Sequence, residues 1–192
     1  MCIRDRNSGI VFKRTDLNQN NIVIPNFANV SDATLCTTVS NQFGVKVSTI
    51  EHLMAAFLGL GIDNAIVELD SQEVPILDGS ARDFVKILKE TGLKNSDVPI
   101  KLIKINNHVE LEDGDKYISI DKSNTTLEIE FEINYQNKVI NNQKNKVNVF
   151  EEQQKISDQN NNSDLQSKIL TPPIAFGYNL SLIHISEPTR PY

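Results

Sequence analysis

Cysteine is scarce in this chain of 192 residues. Cys2 and Cys36 stand far apart, so no disulfide framework is implied and the thiols are expected to be reduced. Aromatic residues make up only 6% of the sequence while 39% is hydrophobic overall, which predicts an aliphatic core. No apolar run approaches the roughly 18 residues that mark a membrane-crossing helix, and the start lacks a secretory hydrophobic segment. Basic side chains number 19 against 25 acidic ones, a net charge of -6, and no Arg/Lys stripe with interleaved aromatics occurs; nucleic acid is therefore not an expected partner. Histidine is also rare. His52, His108 and His184 form no H-x-x-x-H pair, and there is no C-x-x-C, so a self-contained metal motif is missing. This leaves a chain long enough for one large or two small domains, with a cytoplasmic location as the expectation.

What the chain does have is Ser48-Thr49-Ile50-Glu51-His52-Leu53-Met54-Ala55-Ala56-Phe57. Ser48 as cap and Glu51, three residues on, as its reciprocal partner predict a capping box and a helix beginning here. Ile50, Leu53, Met54 and Phe57 recur at helical spacing as one apolar face, and Gly59 and Gly61 offer places to leave the helix. Glu51 and His52 lie about 100° apart around the axis. Neighbours so placed cannot face each other, but both can point toward one cleft if the helix end forms its wall. Two readings stand on pattern alone: a structural glutamate beside a satisfied histidine, or a metal or acid–base site. A catalytic zinc normally takes three protein ligands, and no second or third lies at short spacing from His52.

Around this segment, Ile22-Val23-Ile24, Val45-Lys46-Val47 and Ala65 to Leu69 read as strands, the last with Ala65, Val67 and Leu69 on one face. A second helix is expected from Ser80, with Asp83 in the reciprocal capping position, past Phe84, Val85, Ile87 and Leu88 toward Gly92; Asp78-Gly79 before it is a turn. Strands are expected over Ile100 to Ile105, Val109 to Leu111 and Tyr117 to Ile120, with Glu112-Asp113-Gly114-Asp115 as a hairpin turn. Leu127, Ile129, Phe131, Ile133 and Tyr135 alternate with polar neighbours, the signature of a sheet with one wet face carrying Glu128, Glu130 and Glu132. The polar run from Gln153 to Asn162 reads as a surface loop or disorder. The expected class is α+β, in two-layer domains of sheet plus helices. Residues 8–91 are a first domain carrying the Glu–His helix, 92–99 a linker, 100–150 a partial and mainly antiparallel second domain, and 151–192 a divergent or artefactual tail.

Several blocks, taken together, are more specific. Gly9-Ile10-Val11-Phe12-Lys13-Arg14-Thr15-Asp16-Leu17, Leu35-Cys36-Thr37-Thr38, Val47 to Ala56, Gly59-Leu60-Gly61-Ile62-Asp63-Asn64-Ala65 and Glu73-Val74-Pro75-Ile76-Leu77-Asp78-Gly79-Ser80-Ala81 resemble, in order and spacing, UDP-3-O-acyl-N-acetylglucosamine deacetylase, the zinc amidase of bacterial lipid A synthesis. The resemblance implies that His52 is one of three Zn2+ ligands, that Glu51 is the general base, and that Cys36 lies near metal and substrate without being a ligand. It implies a UDP-linked acylated amino sugar as substrate and partner, hydrolysed at its acetamide to amine and acetate, with peripheral association at the inner membrane surface as a further expectation. It also implies two similar layered domains flanking the zinc cleft, of which this chain holds the first nearly whole and only the sheet of the second.

The resemblance is incomplete. The family's other two zinc ligands come from an H-K-x-x-D segment, and its early part carries G-x-G-L-H-T-G; neither occurs here. The expectation is therefore a fragment, inactive and without tight zinc as written, from a parent gene whose extended reading frame supplies H-K-x-x-D. Met1 to Arg6 and Leu182 to Tyr192 resemble translated adapter read-through at the ends of assembled metagenomic genes, and Thr171 to Gly177 reads as a divergent relic or a frame error. A non-catalytic binding protein on the same layers is the alternative; it requires a genuine stop codon near Leu180.

Overall fold

A computed structural model describes residues 9–95, 103–123, 127–135, 139, 141–158 and 183–188. The chain divides into two compact units, the first reaching Ile100 and taking in Ile156, the second running from Lys101 to Lys155 and taking in the described residues near the C-terminus. Both combine short strands with helices, so the class is α+β.

In the first unit, β1 (Ile10–Arg14) alternates inward and outward, with Ile10 and Phe12 buried. It lies between β2 (Ile22–Val23), antiparallel to it, and β6 (Ala65–Leu69), parallel to it. Phe12 pairs with both Val23 and Val67, so three apolar side chains align on one sheet face. A second three-stranded sheet is formed by β3 (Val30–Asp32), β4 (Thr38–Ser40) and β5 (Lys46–Val47). Arg14 occupies the inward position that ends β1, and its guanidinium is satisfied there by both Asp16 oxygens, at 2.7 and 2.5 Å, and by the Lys46 carbonyl at 3.0 Å. That pairing holds the Asp16 carboxyl below its ordinary range, chiefly through the hydrogen bonds from Arg14.

Two helices complete the unit. Helix α1 (Glu51–Gly59) buries Leu53, Ala56 and Phe57 behind buried Ile50, with Met54 half-buried beside them, as its spacing predicts. The chain leaves it through Gly61, whose φ of 65° suits glycine. Helix α2 (Arg82–Thr91) begins two residues later than expected and has no side-chain cap; Ser80 Oγ instead accepts from the Arg82 N–H at 3.2 Å, and Asp83 pairs with Arg82 rather than closing a box. It buries Val85 and Leu88 and ends at Gly92 with φ 80°. Ile87, expected on the same stripe, is exposed, because two residues from Val85 is about 200° of rotation.

The second unit is a five-stranded sheet in the order β10-β9-β11-β8-β7, formed by β7 (Val109–Asp113), β8 (Lys116–Ile120), β9 (Glu128–Asn134), β10 (Asn142–Asn148) and β11 (Ile183–Pro188). Neighbours are antiparallel except β11 with β9. The β7–β8 turn is tighter than expected: Glu112 and Asp113 belong to the strand, and Gly114, φ 65°, and Asp115 alone make the loop. Residues 103–105 are not a strand, and the rest of that expected strand lies outside the described residues. The Glu row of β9 is not a freely wet face. Lys146 reaches Glu128 at 3.2 Å and Lys144 reaches Glu130 at 2.6 Å, so these glutamates are as half-buried as Ile129, Phe131 and Ile133.

The polar run after Phe150 also departs from expectation, since α3 (Val149–Asp158) takes residues 153–158 into a helix. Glu151 and Glu152 sit in its first turn where the helix dipole favours them, Lys155 bonds Glu152 one turn away at 2.7 Å, and Ile156 is buried in the first unit's core. Residues 159–162 and the Thr171 to Gly177 stretch lie outside the described residues. Among the described residues no helix is long and apolar enough to cross a membrane.

Candidate functional site

The start of α1 is built by an unusual backbone. Thr49, buried, has φ 59°, a left-handed conformation that β-branched residues avoid and that costs about 1–3 kcal/mol. Surrounding bonds hold it there. Ser48 N–H donates to the Gln72 carbonyl at 2.9 Å, Val74 N–H to the Ser48 carbonyl at 3.1 Å, and Thr49 Oγ1 to Glu73 Oε1 at 2.7 Å. Ile50 N–H donates to the Thr37 carbonyl at 3.4 Å.

This replaces the expected capping box. Ile50 is the cap residue and offers no side-chain bond; Ser48 Oγ accepts from Thr38 Oγ1 at 3.0 Å. Glu51 turns away from the helix backbone, and its Oε2 accepts from Thr37 N–H at 3.0 Å. The physical reason is the left-handed turn at Thr49, which carries Ser48 away from the first helical turn and hands it to the neighbouring strands.

Glu51 and His52 end up side by side. His52 Nε2 lies 3.9 Å from Glu51 Oε1, beyond hydrogen-bond range yet on one side of the helix start, and their side chains are only 13% and 16% exposed. His52 Nδ1 is buried without a hydrogen-bond partner among the described residues. A buried ring nitrogen left unpaired by the protein carries a desolvation cost. Cys36 is half-buried, with Sγ 3.7 Å from Thr38 Oγ1, on the same segment that supplies the Thr37 amide to Glu51.

The fold thus brings Cys36, Glu51 and His52 to one neighbourhood. Among the described residues no set of three His, Cys, Asp or Glu side chains is grouped to hold a metal ion. Thr37, Thr49 and Glu73 belong to the site equally, and sequence reasoning gave them no role. A left-handed threonine has no sequence signal, and Glu73 is 24 residues from its partner.

Fold and site together define an α+β protein with an adjacent Glu–His pair at the start of a helix whose backbone is strained. The sequence model of the LpxC family, UDP-3-O-acyl N-acetylglycosamine deacetylase, matches residues 1–159, and the chain belongs to that family. It is similar to proteins named UDP-3-O-acyl-N-acetylglucosamine deacetylase from three bacteria. It is 45% identical to that of Shewanella violacea over 135 residues, 70% of this chain and 44% of the relative. Identity is 46% to that of Nautilia profundicola over 137 residues, 71% and 46% of the two chains. For Vibrio cholerae it is 42% over 134 residues, 70% and 44%. The chain therefore spans less than half the length of these curated relatives.

Proposed function

We propose that this chain carries the Glu–His part of a zinc-dependent deacetylase centre. The reaction is hydrolysis of the acetamide of UDP-3-O-(3-hydroxyacyl)-N-acetylglucosamine to free amine and acetate, in lipid A synthesis on the cytoplasmic side of the inner membrane. The observation that carries the reading is the buried, partnerless Nδ1 of His52 beside a half-engaged carboxylate. Such a ring suits one member of a metal donor set, the two further donors being expected from H-K-x-x-D.

His52 would hold Zn2+ through an imidazole nitrogen, and the bound ion supplies an acidified water and a polarised carbonyl. Glu51 has one oxygen occupied by the Thr37 amide, which leaves Oε1, on the His52 side, to take the proton from the attacking water. Thr37 fixes the carboxylate's direction, so the base is oriented before substrate arrives. Cys36, next to Thr37 in the chain, would lie near metal and substrate without being a ligand.

The test uses a protein of the relatives' full length that contains this sequence. Release of free amine from the UDP-sugar should be lost on chelation and restored by zinc, and Glu51→Gln should lower turnover about 10²–10⁴-fold with zinc content unchanged. A zinc-loaded protein that leaves the acetamide intact, or equal activity in Glu51→Gln, rules the reading out. The 192-residue chain should bind zinc only weakly; tight stoichiometric zinc abolished by His52→Ala would overturn that part.

A further inference from the structure

We propose that Thr49 and Glu73 form a latch that aims the Glu51 carboxylate, making both of them positioning residues for the site. The inference rests on the deacetylase reading for its functional meaning and on geometry for its existence. Three observations meet at Thr49. Its backbone is in the left-handed region although it is β-branched, its hydroxyl donates to Glu73 Oε1 at 2.7 Å, and it stands two residues before Glu51. Left to local preference, this segment would relax into a capped helix start, in which Ser48 and Glu51 bond to the first turn of α1. The carboxylate would then point along the helix instead of toward Thr37.

The main chain around the latch ties Ser48 to the 72–74 segment on both sides, but those bonds involve only peptide groups. The hydroxyl–carboxylate bond is the one side-chain contact among the described hydrogen bonds that connects Thr49 to that segment. Breaking it allows the backbone at Thr49 to leave its strained conformation, and with it the bond from Thr37 N–H to Glu51 Oε2. Glu51 then loses its direction without being altered itself. Thr49→Val keeps the side-chain shape and removes the donor. Thr49→Ser keeps the donor, and Glu73→Ala removes the acceptor while leaving Thr49 untouched.

Amide hydrogen exchange in the 192-residue chain tests this without zinc or substrate. Protection of the Thr37 amide should fall about three- to tenfold in Thr49→Val and in Glu73→Ala, with Phe12 and Val67 in the core sheet unchanged, and Thr49→Ser should restore it. Unchanged Thr37 protection in a folded Thr49→Val or Glu73→Ala protein overturns the latch. So does an equal fall at Phe12 and Val67, which marks a general loss of stability. Should Thr49→Val fail to fold, Glu73→Ala decides alone. Because no arm reads deacetylation, failure here leaves the deacetylase reading standing, and failure of that reading leaves this measurement intact.

Discussion

The two units use the same amount of local patterning to very different effect. In the first, alternating residues on β1 and β6 and the apolar face of α1 converge on Phe12, Val23, Val67 and Phe57, all buried, and the candidate site is assembled against that core. In the second, β9 has the cleanest alternation in the chain, yet all but its last residue are half-buried whichever face they take, and among described residues 103–155 only Ser119 is buried. Alternation decides that a segment is a strand. Which face becomes a core is decided by what covers it, and in the first unit two helices do so.

The largest expected effect follows from that contrast. Phe57→Ala removes a fully buried ring from the helix that carries Glu51 and His52, and should destabilise the first unit by about 3–5 kcal/mol. Phe131→Ala at the centre of β9 removes a half-buried ring and should cost only about 1 kcal/mol. Urea unfolding of the two variants under identical conditions measures the difference. Equal losses would mean that the second sheet is as well packed as the first, and the comparison between the units would collapse.

Legibility in the sequence follows the range of the forces involved. The apolar face of α1, the Gly92 stop of α2 and the Ala65–Leu69 strand come from spacings of two to four residues, and they stand in the structure where the pattern puts them. The capping box at Ser48 obeyed the same local rule and failed, because contacts with Gln72, Glu73 and Thr38 outweigh it. The nearness of Cys36 to Glu51 has no local cause either. It follows from the bond that the next residue, Thr37, makes from its N–H to Glu51 Oε2 across 14 residues. Helix α3 shows the same limit: Gln153 and Gln154 open a polar run that reads locally as a loop, yet they lie in a helix whose Ile156 is buried.

A smaller effect sharpens the contrast from the other side, because the second unit has a polar fastening where the first has a core. His108, just before β7, can donate from both ring nitrogens to carboxylates: Nδ1 is 2.6 Å from Asp121 Oδ1, beyond the end of β8, and Nε2 is 3.1 Å from Glu110 Oε2, which also accepts from Tyr117 at 3.2 Å. Asp121 first and Glu110 second raise the imidazole above its ordinary value, and Glu110 is lowered in return. A raised histidine contributes stability that is complete below its unfolded value of about 6.5 and is lost as pH climbs through the higher folded value. The open end of the β7–β8 hairpin should therefore loosen on the alkaline side. Protection factors for the Val109 and Ile120 amides, partners in the ladder, should decline as pH rises through that window in the native chain and stay level in His108→Gln. An imidazole titration midpoint at or below about 6.5 by nuclear magnetic resonance, or the same decline in His108→Gln, would show that the carboxylates do not hold the ring and that this sheet end rests on its backbone bonds alone.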